Sequence, residues 1–227
     1  GDDFTGNLFS AQFNPHRVQR HLLIREGATF RTEDSDFLTS SHPDFHPTDV
    51  MQDADGSILA CDTGGWYVDA CPVSRISKPE IVGGIYRVRK NDAPAVADPW
   101  GKGIDFAAQS VEALVPLLAD RRTQVQRQAF SQLLARGDGA VAPLIAALDS
   151  SDDSDLRLQA CWLLGQLGGE EARAAVRRAL SDARFEIRIA AARMSALEGD
   201  RQAIPALSAL LFDPEAPVRR QAATSIG

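Results

Sequence analysis

The stretch that decides the fold is LRLQA at residues 156–160, because its pattern returns at a fixed interval of 31 residues. The copies are VQRQA at 125–129, IRIAA at 187–191 and VRRQA at 218–222. A constant period of this length is typical of stacked supersecondary units rather than of one globular core. The chain stops inside the fourth copy, so we expect it to be a piece of a longer protein.

Two further sets of positions keep the same register. Polar residues 31 apart precede each copy, and glycines 31 apart follow the first three: Asp120, Ser151, Asp182 and Asp213, then Gly137, Gly168 and Gly199. Short polar side chains accept the free N–H groups at the start of a helix, and glycine adopts the left-handed conformation at its end. Each repeat is therefore predicted to be a pair of helices joined by a polar turn.

The predicted helix pairs cover 110–227 and give an all-α solenoid. Their bounds are 110–119 with 122–136, 139–149 with 153–167, 169–181 with 184–198, and 200–212 with 215–227. This part resembles the HEAT-like repeat family in its short form, and such arrays are binding surfaces or spacers. Arg157, Arg188 and Arg219 recur at one position and could suggest an anion-binding row. We favour bonds from these arginines to the acidic turn of the same or the next repeat.

Charge and hydropathy exclude some functions. The net charge is −7, and neither half of the chain is basic enough for a nucleic-acid groove. No run of 18 apolar residues occurs, so no membrane span is predicted.

Residues 1–92 show a different pattern, with short apolar segments between turn residues. Candidate strands are 7–13, 17–24, 28–32, 47–53, 57–62 and 83–90. Asp-Gly at 55–56 supplies the positive φ that a hairpin turn requires. Short antiparallel strands at this spacing favour a sandwich, a barrel or propeller blades. The stretch 93–109 is rich in Ala, Pro, Asp and Gly, and we interpret it as a linker.

Long motifs within 1–92 carry a family resemblance. They are FHPTDV at 45–50, DADGS at 53–57, CDTGGWY at 61–67 and GIYRVR at 84–89. They resemble the final blades of a six-bladed propeller family named membrane-bound dehydrogenases, found in planctomycetes and verrucomicrobia. The resemblance therefore implies a multidomain protein with a partial all-β propeller followed by the all-α HEAT-like solenoid.

The resemblance also implies an activity. That family is distantly similar to soluble glucose and sorbosone dehydrogenases, which bind pyrroloquinoline quinone and calcium. Its propeller is commonly followed by HEAT-like repeats and a CxxCH cytochrome domain with c-type haem. The implied protein is exported, periplasmic or membrane-associated, and it oxidises a sugar or alcohol and passes electrons to haem. The alternative is a non-catalytic binding scaffold that recognises glycan or protein, with a protein partner on the HEAT-like surface.

Three residues at the ends of two neighbouring strands are candidates for chemistry. His46 and Asp49 flank the start of an inner strand, and Asp62 ends the next strand. His46 could act as a catalytic base, because a histidine near the channel mouth can remove a proton from an alcohol. Asp49 and Asp62 could bind calcium, which prefers oxygen ligands. The structural alternative is that His46 caps the strand and the aspartates accept hydrogen bonds from turn amides.

The loop 63–82 holds the remaining candidates. Arg75 and Lys78 could pair with the carboxylates of a quinone cofactor, or they could form salt bridges with Asp69 or Glu80. Trp66 could stack on a cofactor ring, or anchor the loop by packing.

The cysteines offer one pairing. Cys61 and Cys71 bracket this loop and could form a disulfide in an exported protein, with a buried free thiol at Cys61 as the alternative. Cys161 lies in a predicted helix beside Ala160 and is expected in the core.

Overall fold

The computed structural model describes residues 4, 6–65, 78 and 80–227. The chain divides into a strand unit that ends at Ala97 and a helical unit that begins at Asp98. Each unit is built from one type of secondary structure, which agrees with the two sequence patterns.

The strand unit contains two three-stranded sheets. Strands β1 (Asn7–Gln12), β2 (Arg17–Glu26) and β3 (Thr29–Thr39) form the first, in that order. Strands β4 (Pro47–Gln52), β5 (Ile58–Gly64) and β6 (Val82–Val88) form the second. Gly56 has a φ of 80° in the turn between β4 and β5, so the predicted Asp-Gly hairpin is confirmed.

The prediction of propeller blades in residues 1–92 is wrong. A propeller blade has four strands, whereas each sheet in the described residues has three. Apolar alternation and turn residues determine which neighbouring strands pair, and β4 pairs with β5 as expected. They do not determine how many strands a sheet contains or whether sheets close into a ring.

Strand β3 is longer than predicted. The predicted strand covered residues 28–32, but β3 continues to Thr39. Its central residues are exposed and polar, so no alternation of apolar residues marks the later half. The strand is instead held by polar contacts, such as the 2.8 Å hydrogen bond from Arg17 Nη1 to Asp36 Oδ1.

The helical unit contains four helix pairs at the predicted places. The helices are α1 (Val111–Leu114, continued by a 3-10 segment Val115–Ala119), α2 (Thr123–Ala135), α3 (Val141–Ser150), α4 (Ser154–Leu167), α5 (Glu170–Ala179), α6 (Phe185–Leu197), α7 (Ile204–Leu210) and α8 (Ala216–Ile226). The repeated alanines, such as Ala160 and Ala191, are fully buried. Gly137, Gly168 and Gly199 all have positive φ, as a helix end requires.

Arginine–aspartate pairs link the second repeat to the third and the third repeat to the fourth. Arg188 Nε and Nη2 donate to the two carboxylate oxygens of Asp213, at 2.8 and 2.9 Å. One repeat earlier, Arg157 Nη2 pairs with Asp182 Oδ2, while Arg157 Nε donates to the Leu148 carbonyl at 2.9 Å. Both aspartate side chains are only 5% exposed. The structural interpretation of the arginine row is therefore confirmed.

The first repeat departs from this pattern at both of its positions. Gln126 stands where the later repeats have arginine, and Ser151 stands where the next turn would have aspartate. The arginine and the aspartate are thus both replaced by neutral residues. Replacing only one of them would leave the other charge buried without its partner.

Burial alone would raise the pKa of the Asp213 carboxyl, but the hydrogen bonds from Arg188 and from the Glu215 amide outweigh it. The pKa of Asp213 is held below its usual value. Asp213 and Asp182 each accept the backbone N–H two residues later, at Glu215 and Arg184. They therefore order the turn before the second helix, rather than capping its first turn as predicted.

Residues 98–109, predicted as a linker, pack on the first repeat. Phe106 is buried in the helical core. Arg136 Nη2 donates to the carbonyls of Ala107 and Gln109, at 2.7 and 3.1 Å. This segment therefore covers the first edge of the helical unit.

Candidate protein-binding surface

The second helices of the repeats present one continuous surface. It is built from two repeat positions four residues apart, which lie one above the other on a helix. The first position holds Arg127, Leu158, Ile189 and Arg220, and the second holds Ser131, Trp162, Arg193 and Thr224. We call these eight residues the second-helix surface. Its apolar members lie in the two central helices, and arginines lie at both ends.

Helices α4 and α6 meet on this surface through an aromatic contact. The Arg193 guanidinium carbon lies 5.8 Å from the centre of the Trp162 ring, within the range of a cation–π interaction. Trp162, Leu158 and Ile189 are half-buried and contact the core from the outside. A large apolar area therefore remains partly open to solvent in the middle of the surface.

A groove between α2 and α4 extends the surface. It has a volume of about 420 Å³ and is lined by Arg127, Phe130, Ser131 and Gln159 among others. Phe130 adds a second half-buried aromatic ring. The groove is lined mainly by polar side chains, and the Phe130 ring supplies an apolar contact for a partner.

The arginines of this surface differ from the arginines that link the helices of the helical unit. Arg157, Arg177 and Arg188 are paired with nearly buried carboxylates. Within the described residues, the surface arginines Arg127, Arg193 and Arg220 form no ion pair, and all three are exposed. Their charges are therefore available to a partner.

Tryptophan and arginine around an apolar centre are typical of protein interfaces. These residue types are enriched among the positions that contribute most binding energy. The chain as a whole is acidic, with a net charge of −7, so a basic and apolar surface is distinctive within it. The arrangement suits an acidic protein segment with apolar side chains.

A protein partner on the HEAT-like repeats was predicted from the sequence, but the residues of the second-helix surface were not. The signal was present in the 31-residue register, because Leu158 and Ile189 are apolar at a position that is arginine in the outer repeats. A position that is apolar in some repeats and charged in others does not have to be apolar for the helices to pack. Its apolar residues are therefore candidates for binding.

His46 lies in the strand unit, where its backbone N–H and its ring Nδ1 both have hydrogen-bond partners. Its backbone N–H donates to Asp62 Oδ1 at 2.8 Å, and its Nδ1 is 2.8 Å from the Gly64 carbonyl. Its ring stacks on Phe13, with centroids 4.5 Å apart. These contacts support the structural role, and the catalytic role of His46 stays a prediction.

The two aspartates predicted to bind calcium make different contacts. Asp62 also accepts the Gly64 amide at 2.9 Å, and Asp49 accepts the amide of Val50 at 2.8 Å. Within the described residues, no three His, Cys, Asp or Glu side chains are placed to hold a metal ion together. The aspartates therefore act as acceptors for local amides, and their calcium role stays a prediction.

The loop candidates are partly outside the described residues. Lys78 Nζ donates to Asp44 Oδ1 and Oδ2 at 2.7 and 3.0 Å, a partner that the sequence analysis did not anticipate. This hydrogen bond lowers the pKa of the Asp44 carboxyl below its usual value. Arg75 and Trp66 lie outside the described residues, and the cofactor roles of all three residues stay predictions.

The two described cysteines differ in burial. Cys61 is half-buried in β5; Cys71 lies outside the described residues, so the proposed disulfide stays a prediction. Cys161 is fully buried in the helical core, as expected. Burial, together with the negative charge of Asp182, raises the pKa of the Cys161 thiol to about 12. This thiol is therefore unreactive at neutral pH.

Known proteins resemble mainly the helical unit. A family model for HEAT repeats matches residues 141–227. A protein from Pseudanabaena tenuis, named uncharacterized phycocyanin operon protein Z, is 35% identical over 68 residues, which are 30% of this chain and 34% of that protein. The chain thus spans about a third of the length of this curated relative. None of the described helices is long and apolar enough to cross a membrane.

Two solved structures share the helical-repeat arrangement. Human deoxyhypusine hydroxylase in complex with glycerol is 24% identical, with a TM-score of 0.43 over 52% of this chain and 42% of that chain. The complex of CpcE and CpcF of phycocyanin lyase from Nostoc sp. PCC7120 is 25% identical, with a TM-score of 0.39 over 52% and 54%. At these TM-scores neither structure bears on the function of this chain.

The predicted membership of the membrane-bound dehydrogenase family is wrong. The prediction of sugar or alcohol oxidation with electron transfer to haem is wrong with it. The matching family model describes helical repeats, the curated relative is named for a phycocyanin operon, and the described strands form no four-stranded blade. These findings favour the alternative of a binding scaffold over the oxidoreductase.

Proposed function

We propose that the chain is a protein-binding scaffold whose docking site is the second-helix surface. The observation that carries this proposal is the strip of Leu158, Trp162 and Ile189 between exposed arginines that have no ion pair in the described residues. A protein partner is supported by the HEAT-repeat match to 141–227. The residue types of the strip indicate a partner segment that is apolar at its centre and acidic at its edges.

The contacts explain why this surface would bind tightly enough to be specific. Trp162 is already oriented by Arg193, so little side-chain freedom is lost when a partner packs on it. The arginines attract an acidic partner over a distance and fix its register. The repeat-to-repeat ion pairs involve nearly buried carboxylates, and they keep the helices in place while a partner binds.

The binding test uses tryptophan fluorescence on the full chain. The chain has three tryptophans, so replacing Trp66 and Trp100 with phenylalanine makes Trp162 the sole reporter. The probe is a helical peptide with leucines on one face and glutamates on its flanks. We expect this peptide to shift the Trp162 emission, with an affinity that falls as salt rises.

The controls separate surface binding from general charge attraction. Reversal of Arg127, Arg193 and Arg220 to glutamate is expected to abolish the shift. Reversal of three other exposed arginines, Arg121, Arg178 and Arg201, changes the net charge equally and is expected to preserve it. Equal loss in both triple variants, or binding of a lysine-flanked peptide as well, would contradict the proposal.

A natural partner can be tested in the same assay. The curated relative is named for a phycocyanin operon, so purified phycocyanin is the first natural protein to add. We expect saturable quenching of Trp162 that the surface triple variant loses.

A further inference from the structure

Three polar side chains form a continuous hydrogen-bonded chain across the first sheet. Ser10 lies on β1, His21 on β2 and Asp34 on β3. Ser10 Oγ is 2.8 Å from His21 Nε2, and His21 Nδ1 is 2.8 Å from Asp34 Oδ1. This is the order of nucleophile, base and orienting carboxylate that recurs on unrelated folds.

The carboxylate of Asp34 decides which nitrogen of His21 carries the proton. Hydrogen bonds from His21 and Thr32 lower the pKa of Asp34 below its usual value, so Asp34 is ionised at neutral pH. An ionised carboxylate only accepts hydrogen bonds, and His21 Nδ1 must therefore donate. The lone pair of His21 Nε2 is then directed at the Ser10 hydroxyl, which is the arrangement that a general base requires.

The residue opposite Ser10 can stabilise developing negative charge. Gln19 pairs with Ser10 across the β1–β2 ladder, where side chains of directly opposite residues are neighbours. Gln19 Oε1 accepts from Gln12 Nε2, and Gln12 Oε1 accepts from Arg17 Nε at 2.9 Å. These bonds engage the oxygen of the Gln19 side chain, whose amide N–H groups are the candidate donors. Side-chain amides of this kind serve as oxyanion donors.

An apolar wall lies next to the three residues. Leu8 is opposite His21 in the ladder and is 54% exposed. It also lines an open cleft of about 520 Å³ with Val50 and Met51 of β4. Ser10 is half-buried and lies two residues along β1 from Leu8, so both side chains are on the same face of the sheet. The exposed Leu8 side chain suits a small apolar group.

We propose that Ser10, His21 and Asp34 form a nucleophilic site that hydrolyses small carboxylic esters. Ser10 Oγ bonds to the ester carbonyl carbon while its proton passes to His21 Nε2. The bond from that carbon to the leaving oxygen breaks, and the leaving alcohol takes the proton from His21. The oxygen of a water molecule then bonds to the acyl carbon while His21 takes a proton from it. The bond from that carbon to Ser10 Oγ breaks, Ser10 Oγ takes the proton from His21, and the carboxylic acid leaves. Gln19 donates to the carbonyl oxygen in both steps.

The test is covalent labelling of the full chain. The probes are a fluorophosphonate, which reacts with activated serines, and p-nitrophenyl acetate, which reports acyl transfer by absorbance. We expect one fluorophosphonate to be added per chain and peptide mass spectrometry to place it on Ser10. Ser10→Ala is expected to remove the label and the esterase activity, and His21→Gln to slow both by about 100-fold.

Two controls keep the result interpretable. Ser208→Ala changes an exposed serine on α7 whose hydroxyl donates to a backbone carbonyl, and it is expected to label like the wild type. Circular dichroism compares the folding of all variants. A wild-type chain that stays unlabelled, or a label that maps to another residue, would overturn the proposal. Neither outcome depends on whether the variants fold.

Discussion

The helical unit and the strand unit bury apolar side chains very differently. One continuous core runs through the helical unit from Phe106 to Ala222. In the described part of the strand unit, the buried apolar residues are Val18, Phe45, Ala54 and Ala60, while Val82 and Ile85 are 84% and 72% exposed. Stacked repeats stabilise each other through contacts with their neighbours. The sheets depend more on strand pairing and on polar contacts at their surfaces.

The ion pairs follow the same division. In the helical unit, Arg188 and Asp213 are 11% and 5% exposed. In the strand unit, Arg31 and Glu33 are 53% and 59% exposed. A pair that is shielded from water is costly to break, whereas an exposed pair contributes little. Sequence changes should therefore have much larger effects in the helical unit.

The largest effect is expected from a core substitution in α2. Leu133 is fully buried, and Leu133→Ala is expected to lower the free energy of unfolding by about 2–5 kcal/mol. The adjacent Leu134 is 37% exposed and provides the matched control, since Leu134→Ala should cost less than half as much. Urea unfolding measures both. Equal costs would mean that the helical core is loosely packed.

Breaking a repeat-to-repeat ion pair comes next. Arg188→Ala leaves the nearly buried Asp213 without its charged partner, and we expect a loss of about 1.5–3 kcal/mol at pH 7. The pKa of Asp213 is lowered in the folded chain, so this stabilisation is present above the unfolded pKa of about 3.9 and is lost as pH falls through the folded pKa.

The difference between wild type and Arg188→Ala should therefore shrink when unfolding is measured at pH 3 instead of pH 7. Arg178 is the control, because its pair with Asp149 is 54% and 44% exposed. Arg178→Ala should change stability only slightly at either pH. A pH-independent penalty for Arg188→Ala would show that packing of the side chain, not its charge, links the repeats.

A smaller effect is expected where α4 and α6 approach closely. A Cβ atom on Gly165 would lie 2.6 Å from Met194 Cβ, so Gly165→Ala forces the helices apart at a cost of about 1–3 kcal/mol. Alanine also favours a helix over glycine by about 1 kcal/mol, which offsets part of that cost. We expect a net loss of about 1 kcal/mol, measured by urea unfolding. A stabilised single variant would show that the two helices can separate freely.

The smallest effect is expected in the strand unit. Arg31→Ala removes an exposed ion pair with Glu33, and we expect a change of about 0–0.5 kcal/mol. Thermal unfolding at low and high salt measures it. A loss comparable with that of Arg188→Ala would remove the distinction between the two units.

The same distinction explains what the sequence could predict. Helices are set by local periodicity, and a 31-residue register fixed the turns at Asp182 and Asp213 and the ion pairs that cross them. Hairpins are also local, so the Asp-Gly turn before β5 was predicted correctly. The number of strands in a sheet depends on contacts between distant segments, which is why the propeller was predicted wrongly and β3 was ended too early.

The candidate sites show the same limit. Leu158, Trp162 and Ile189 become one surface only when the repeats are stacked, although the shared register of Leu158 and Ile189 pointed to it. Ser10, His21 and Asp34 lie on three different strands with no motif spacing between them. Their proximity follows from the β1–β2 register and from the long β3, neither of which the sequence pattern specified.

The most direct test of the contrast between the units is hydrogen exchange on the full chain, read residue by residue. We predict that amides in α4 and α6 exchange only through global unfolding of the helical unit. Amides in β1–β6 should exchange about 100-fold faster or more, through local opening. Equal protection of strands and helices would contradict the account, because it would show that the sparsely buried strand unit is as stable as the stacked repeats.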